Sequence, residues 1–367
     1  MDQKTNPDFQ SLRLAREIRK WAQRHRMLPG PKVSPEVDDQ LIRSVFGHVG
    51  VPAAQSVLQD RGISYVAYNE EDNTVVIITG KSPRQKDKEL FYNLGLAGIP
   101  ISIVGGGVGH AGRKPVDPKY DPFIWRNDFY TCGSSVYLST EKGAGTLGYL
   151  VQDADGILYG LSANHVTGGS NYAELTLPIF APGQLDIAAG QPQPFVIGNH
   201  YSAMPFIDGL PNIVDVSKNL DAAMFKIAST DRVSSFQRNS FDTPSTSGGL
   251  RANMEVMKLG RTSGLTRGKV IGELPDEQPI IYEIDVIGGR KVVYFEHMFV
   301  IKGTGSPDNP FAQYGDSGSL IVTATRDEEK QSVGLVIGVG ENDLTLALSL
   351  DRILEYFGVS IVSGHNI

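Results

Sequence analysis

From about Tyr130 to the C-terminus the chain is a series of short β-branched and aromatic runs set between glycine, proline and acidic turn residues. "SSVYLST", "GTLGYLVQD", "LYGLSAN", "AAMFKIA", "EVMKLG", "GKVIGEL", "IIYEIDVIG", "KVVYFEHMFVI", "GSLIVTAT", "SVGLVIGVG" and "TLALSL" each have the length of one strand. Breakers recur too often for long helices, and 41 glycines and 21 prolines in 367 residues fit a body full of turns. Many short antiparallel strands bury their apolar faces best by curling into a barrel or a pair of barrels. A helix, "DRILEYFG", is predicted near the end.

The upstream part reads differently. In residues 1–32, Phe9, Leu14, Ile18, Trp21 and Ala22 fall near one helical stripe, among seven Lys and Arg against three Asp and Glu over residues 1–30. Such a basic amphipathic helix docks on its own protein or meets a partner, a membrane surface or an acidic groove. Residues 33–113 hold two predicted helices, "PEVDDQLIRSVFGHV" and "PAAQSVLQD", then strands "GISYVAY" and "NTVVIITG", helix "KDKELFYNLGL" and strand "IPISIVGG". That order makes a small α+β domain. Residues 114–129, rich in proline, read as a linker to a domain over residues 130–367, with its halves at about 130–245 and 250–367.

Gly107, Gly109 and Gly112 spell a dinucleotide fingerprint after a strand, but its context is wrong. The fingerprint needs a helix next, whose N-terminus holds the pyrophosphate. Here "RKPVDPKYDP" follows, and its prolines forbid a helix start. Lys114 and Pro115 also break the phosphate-loop spacing.

Charge and cysteine content narrow the function classes. A net charge of −7 argues against general affinity for nucleic acid or anionic membranes. Cys132 stands alone, so no intrachain disulfide forms and no cysteine pair offers a structural zinc site. The N-terminus "MDQKTNPDFQ" has no apolar signal-peptide core, and no apolar run approaches the length of a membrane span. The expectation is a cytoplasmic protein.

One stretch, "QYGDSGSLIV", raises the question of chemistry. Gly315 and Gly318 bracket Asp316 and Ser317 at the mouth of a strand; a turn alone would also favour these residue types. A serine hydroxyl is a weak nucleophile at neutral pH and needs a neighbouring base. "YGLSANHVTGG" offers His165 just after a strand, and "VSKNLDAAMFKI" offers Asp221 at the head of another. Imidazole can take the serine proton and return it to a leaving amine. A buried carboxylate can fix the imidazole tautomer. Asp215 is a rival acid six residues earlier, and Asp221 is preferred because the apolar strand starts directly after it. Gly315 lets the backbone turn so that its N–H and that of Ser317 converge as an oxyanion hole.

These residues, in the order His, Asp, Ser, resemble the chymotrypsin/trypsin-like serine proteases. "GDSGS" is similar to their nucleophile turn, "LDAAMFKI" to their aspartate segment, and "SANHV" to their histidine strand end, with the Asn common in the HtrA-like branch. "KLGRTSGLTRGKV" and "AGTLGYLV" are similar to intracellular trypsin-like proteins of the plant NARROW LEAF type and their bacterial relatives. The resemblance covers about Cys132 to Phe357. It implies a mainly β fold with a trypsin-like double six-stranded antiparallel β-barrel, here preceded by the small α+β domain. It implies Ser317 as nucleophile, His165 as base, Asp221 as orienting acid, and the Gly315 and Ser317 N–H groups as oxyanion hole. It further implies an extended protein or peptide substrate, bound between barrels as an added strand, and no metal or organic cofactor.

Two departures bear on specificity. Ser319 stands where trypsins keep a second glycine. Phe311 stands where trypsin keeps the acid that selects basic residues, so Phe311 and Tyr314 are the substrate-pocket candidates and Glu341 a replacement acid. In zymogen members the carboxylate at the Asp316 position pairs with a freed N-terminal amine; whether this chain needs one is open. So are a dedicated partner protein, homo-oligomerisation, and gating of the site by the N-terminal region. The alternatives are a catalytically latent scaffold that only binds, and an esterase using the same triad. The strand–helix elbow Gly-x-Ser-x-Gly is absent around Ser317, which counts against an α/β-hydrolase version of the latter.

Overall fold

A computed structural model of the chain describes residues 10–29, 34–94, 99–112, 116–187, 193–284, 287–305, 309–324 and 329–367. Phe9, Lys114 and Pro115, used above, lie outside the described residues.

The second half of the trypsin-like body is a closed barrel. Strands Glu255–Gly260, Gly264–Glu273, Met298–Gly303, Leu344–Ser349, Ser332–Gly340 and Leu320–Thr323 pair antiparallel in that order. The last returns to the first, with Ile321 opposite Lys258. Burial along Gly264–Glu273 alternates residue by residue, as a strand with one face on a core requires. Val256, Val270, Ile301, Val336 and Ala347 fill the inside.

The first half also uses six strands: Ser135–Leu138, Pro178–Ala181, Phe195–Ala203, Ala223–Ile227, Leu158–Ser162 and the bent segment of Gly145–Thr146 and Tyr149–Gln152. Gly145–Thr146 ends the sheet on one side, while Tyr149–Gln152 lies near the other end, edged there by Ser360–Ile361, so the barrel is half closed, broken at Leu147–Gly148. A close approach of the two halves falls at this break. A Cβ on Gly148 would lie 2.2 Å from the carbonyl oxygen of Gly318 in the other half.

The upstream residues build a third layer. Helix α1, Gln10–Arg24, buries Leu14, Ile18, Trp21 and Ala22, while Arg16 and Arg19 reach Asp276 across the surface. The basic helix is therefore docked on its own chain. The two helices expected next are one, α2, Asp39–Arg61, with Pro52 inside it. Proline costs a helix one hydrogen bond and a clash. Ile42, Val45 and Phe46 before it and Ala54 and Leu58 after it are buried in the same cluster, which holds both halves in line.

Strands β1, Ile63–Asn69, and β2, Thr74–Thr79, pair antiparallel, and β2 pairs parallel with β3, Ile101–Gly105, after helix α3, Gln85–Leu94. The apolar runs of β1 and β2 are continuous because both faces are covered. Val75 and Ile77 meet the helices, and Val76 and Ile78 meet the barrels. The sheet continues into the second barrel, where Tyr68 of β1 stands opposite Glu273.

A short strand β4, His110–Ala111, then inserts beside the second barrel. His110 lies opposite Val339 on one side and Ile281 on the other, the latter in the hairpin of Gln278–Ile284 and Gly289–Phe295. The glycines of the rejected fingerprint serve this insertion: a Cβ on Gly109 would meet Leu346 at 2.3 Å, and Gly112, at φ +72°, would meet the Glu283 carbonyl at 2.3 Å. The C-terminal helix, Leu350–Phe357, ends at Gly358 in the left-handed conformation, as its sequence suggested.

Candidate active site

His165 and Asp221 meet because their strands are neighbours. Leu158–Ser162 pairs with Ala223–Ile227 in a register that sets Ser162 opposite Ala223. His165 sits just past one strand end, in a single turn of helix at Asn164–Thr167, and Asp221 just before the other strand begins. The imidazole Nδ1 is 2.6 Å from Asp221 Oδ2, and the His165 backbone N–H donates to Oδ1 at 3.0 Å. Asp221 is fully buried. Asp215, the rival, is exposed and accepts from Ser217.

The Ser317 turn is pressed against the same strand end from the other half. Gly315 and Gly318 take φ of +101° and +89°, a region open to glycine and costly for other residues. Thr146 fastens the turn twice: its N–H donates to the Ser317 carbonyl at 3.0 Å and its Oγ1 to the Gly315 carbonyl at 2.9 Å. A Cβ on Gly318 would lie 2.2 Å from Ser162 Oγ and 3.0 Å from Ala163 N, two residues before His165. Ser317 and His165 keep only 9% and 6% of their surface exposed.

The peptide between Tyr314 and Gly315 has a defined orientation. Its carbonyl accepts from Thr262 Oγ1 at 2.8 Å and from the Val116 N–H at 3.3 Å. In a trans peptide the N–H points opposite to the C=O. The Gly315 N–H is thus turned away from Thr262 and Val116.

Asp316 finds its cation inside the chain. Lys258 Nζ is 2.9 Å from Asp316 Oδ2, and neither side chain touches solvent. Ser263 Oγ donates to the same oxygen at 2.5 Å, and the backbone N–H groups of Thr262, Ser263 and Gln313 donate at 2.8, 3.1 and 2.9 Å. Burial alone would raise this carboxyl, but Lys258 and the donors hold it below the usual carboxylate range. Burial keeps the Lys258 ammonium below its ordinary value, and Asp316 opposes that.

Phe311 does not line an open pocket. Its side chain is fully buried in the core of the second barrel, and Thr266 Oγ1 donates to its carbonyl. Tyr314 is half-buried against that core. Glu341 is exposed, and its carbonyl receives the Gly107 N–H at 3.3 Å. Cys132 is buried, and burial raises its thiol far above the range of a reactive cysteine. Among the described residues no cluster of three or more His, Cys, Asp or Glu could hold a metal ion, and no helix is long and apolar enough to cross a membrane.

Sequence reasoning missed the supports of the site. Lys258 stood in "EVMKLG", where strand alternation puts a lysine on the inner face. That was a usable signal for a buried partner. Arg261 was missed as well. It crosses the seam to Asp186 with Nε at 2.7 Å and Nη2 closer still, and Ser135 Oγ donates to the same carboxylate at 2.5 Å.

No curated protein matches the chain. Solved structures similar to it include Thermobifida fusca protease A, at 16% identity and TM-score 0.41, covering 64% of this chain and 98% of that one. Nocardiopsis protease matches at 16% and 0.39, covering 63% and 97%, and Cellulomonas bogoriensis chymotrypsin at 11% and 0.39, covering 64% and 98%. Residues 240–364 match a family model described as the Nal1 C-terminal domain.

Proposed function

We propose that the protein is a serine endopeptidase that cuts protein substrates through Ser317, His165 and Asp221. The observation that carries this reading is the 2.6 Å contact of a buried Asp221 with His165 Nδ1, beside a Gly-Asp-Ser-Gly turn fastened to the same strand end. In the proposed reaction His165 Nε2 takes the Ser317 hydroxyl proton as Oγ attacks the peptide carbonyl. Asp221 holds the tautomer and stabilises the imidazolium. The oxyanion that forms is met by the Gly315 and Ser317 N–H groups, each such donor lowering the barrier by about 3 kcal/mol. The proton passes to the leaving amine, and water then hydrolyses the acyl-enzyme. No cofactor enters this scheme.

The Lys258–Asp316 pair supports a turn that forms without a zymogen cut. The match of residues 240–364 to the Nal1 C-terminal domain supports kinship with the NARROW LEAF-type proteins. A lone buried thiol suits a cytoplasmic setting. We assign a regulatory role to the N-terminal region, because β4 covers the edge of Ser332–Gly340, the strand that receives the Ser317 turn through Gly318 N–H and Val336 O at 2.8 Å.

A second reading, a latent binding scaffold, is favoured by one observation, the small exposure of Ser317 and His165. A fluorophosphonate probe separates the two. The purified protein is treated beside Ser317→Ala and His165→Ala, and the labelled residue is mapped by mass spectrometry. Label on Ser317 that both variants lose is the outcome expected of the peptidase. A folded protein that takes no label is the scaffold.

A further inference from the structure

We propose that Tyr282 is a positioning residue for the His165–Asp221 pair, donating its hydroxyl to Asp221 across the seam between the two barrels. The proposal rests on the reading of Ser317, His165 and Asp221 as a triad.

The geometry is specific. Tyr282 Oη is 2.8 Å from Asp221 Oδ2, the oxygen that also meets His165 Nδ1. Oδ1 is taken by the His165 backbone N–H. A carboxylate with no solvent contact needs donors on both oxygens to remain ionised. Here one donor on Oδ2 is the imidazole, whose charge changes in the proposed reaction, and Tyr282 is the donor whose charge does not. Burial, and then Asp221, raise the Tyr282 hydroxyl well above its ordinary value, so it stays protonated and can only donate to the carboxylate.

The ring is held as firmly as the hydroxyl. Tyr282 is fully buried and packs edge-on to His165, with ring centroids 5.5 Å apart, and to Phe206 at 4.6 Å. Its strand, Gln278–Ile284, belongs to a hairpin tied to the aspartate loop at separate points. Asn219, two residues before Asp221, donates to the Tyr294 carbonyl at 3.0 Å, and Lys291 pairs with Asp208 at 3.0 Å. On its other edge Tyr282 stands opposite Ala111 of β4. The upstream region thereby reaches the acid of the triad through one strand and one hydroxyl.

The test is Tyr282→Phe in the full chain, which keeps the ring and removes the donor. Two readouts are taken on protein whose thermal midpoint shows it folded. The first is the low-field proton resonance of His165 Nδ1–H, which reports the bond to Asp221. The second is the saturation kinetics of fluorophosphonate labelling. The resonance is expected to move, and the maximal labelling rate to fall roughly tenfold with the half-saturating probe concentration unchanged. An unmoved resonance together with an unchanged rate overturns the proposal. If wild type takes no label, the triad reading fails, yet the resonance still decides the role of Tyr282. Should Tyr282→Phe not fold, 3-fluorotyrosine at position 282 keeps the shape and strengthens the donor. The resonance must then move, and an unmoved one overturns the proposal.

Discussion

Lys258 and Asp316 form an ion pair with no solvent contact, 2.9 Å between Nζ and Oδ2, directly beneath the Ser317 turn. Removing one partner leaves an uncompensated buried charge, a loss of about 3–5 kcal/mol. Lys258→Met is therefore expected to lower the thermal midpoint and to abolish fluorophosphonate labelling. Acetylating the N-terminal amine of wild type is expected to change neither. The pair also sets an acid limit. Asp316 is held below the ordinary carboxylate value of about 3.9, so its contribution is complete above that pH and is lost as pH falls through the lower folded value. An acid titration followed by circular dichroism checks it, with Asp316→Asn shifting the curve.

Thr262 controls the peptide before Gly315. Thr262→Val keeps the shape and deletes Oγ1, which donates to the Tyr314 carbonyl and accepts from Arg261 Nη1 at 3.1 Å, while the longer bond from the Val116 N–H to that carbonyl stays. One hydrogen bond is worth about 0.5–1.5 kcal/mol to stability. The expected result is a modest drop in thermal midpoint with a larger, at least tenfold, drop in labelling rate. Equal proportional losses would mean that the peptide orientation is secured elsewhere.

Tyr65 joins the upstream layer to the hairpin that carries Tyr282. Its hydroxyl donates to the Pro279 carbonyl and accepts the Gly109 N–H, both at 2.8 Å. Tyr65→Phe leaves two backbone groups without that partner, at a cost of about 1–3 kcal/mol each. If the upstream region governs the site, labelling of Ser317 changes along with stability. A folded variant labelled at the wild-type rate removes that role from β4.

His297 gives a second, weaker pH signature. Its hydrogen bond to Glu273 at 2.9 Å raises the imidazole above its ordinary value. A raised group stabilises fully below the unfolded value of about 6.5, and that stabilisation fades as pH climbs through the folded one. His297→Gln should flatten the thermal midpoint against pH across that window. The side chain is 58% exposed, so the effect is small and salt-sensitive.

The strands of the body, the ββαβ order upstream and the C-terminal helix were readable because each rests on local periodicity and punctuation. The meeting of His165 with Asp221 was readable from strand ends that happen to be neighbours. Phe311 was a pocket candidate by its place before Ser317, and such a place carries no direction; its side chain is buried in the barrel core. Pro52 was read as a break between helices, and burial on both sides overruled it. Tyr282 and Thr262 left little trace, since each matters through a partner more than fifty residues away in sequence. Nothing local marks a tyrosine in an alternating strand as the donor to a distant carboxylate.

The bridge from His110 to Val339 also fixes an order of assembly. The ribosome delivers β4 long before the strand it must pair with, and contacts of such sequence separation slow folding. His165 and Asp221 are made well ahead of Ser317, and Ser332–Gly340, which grips the Ser317 turn, comes later still. A nascent chain thus holds His165 and Asp221 close together before the turn that will be pressed against them has been made.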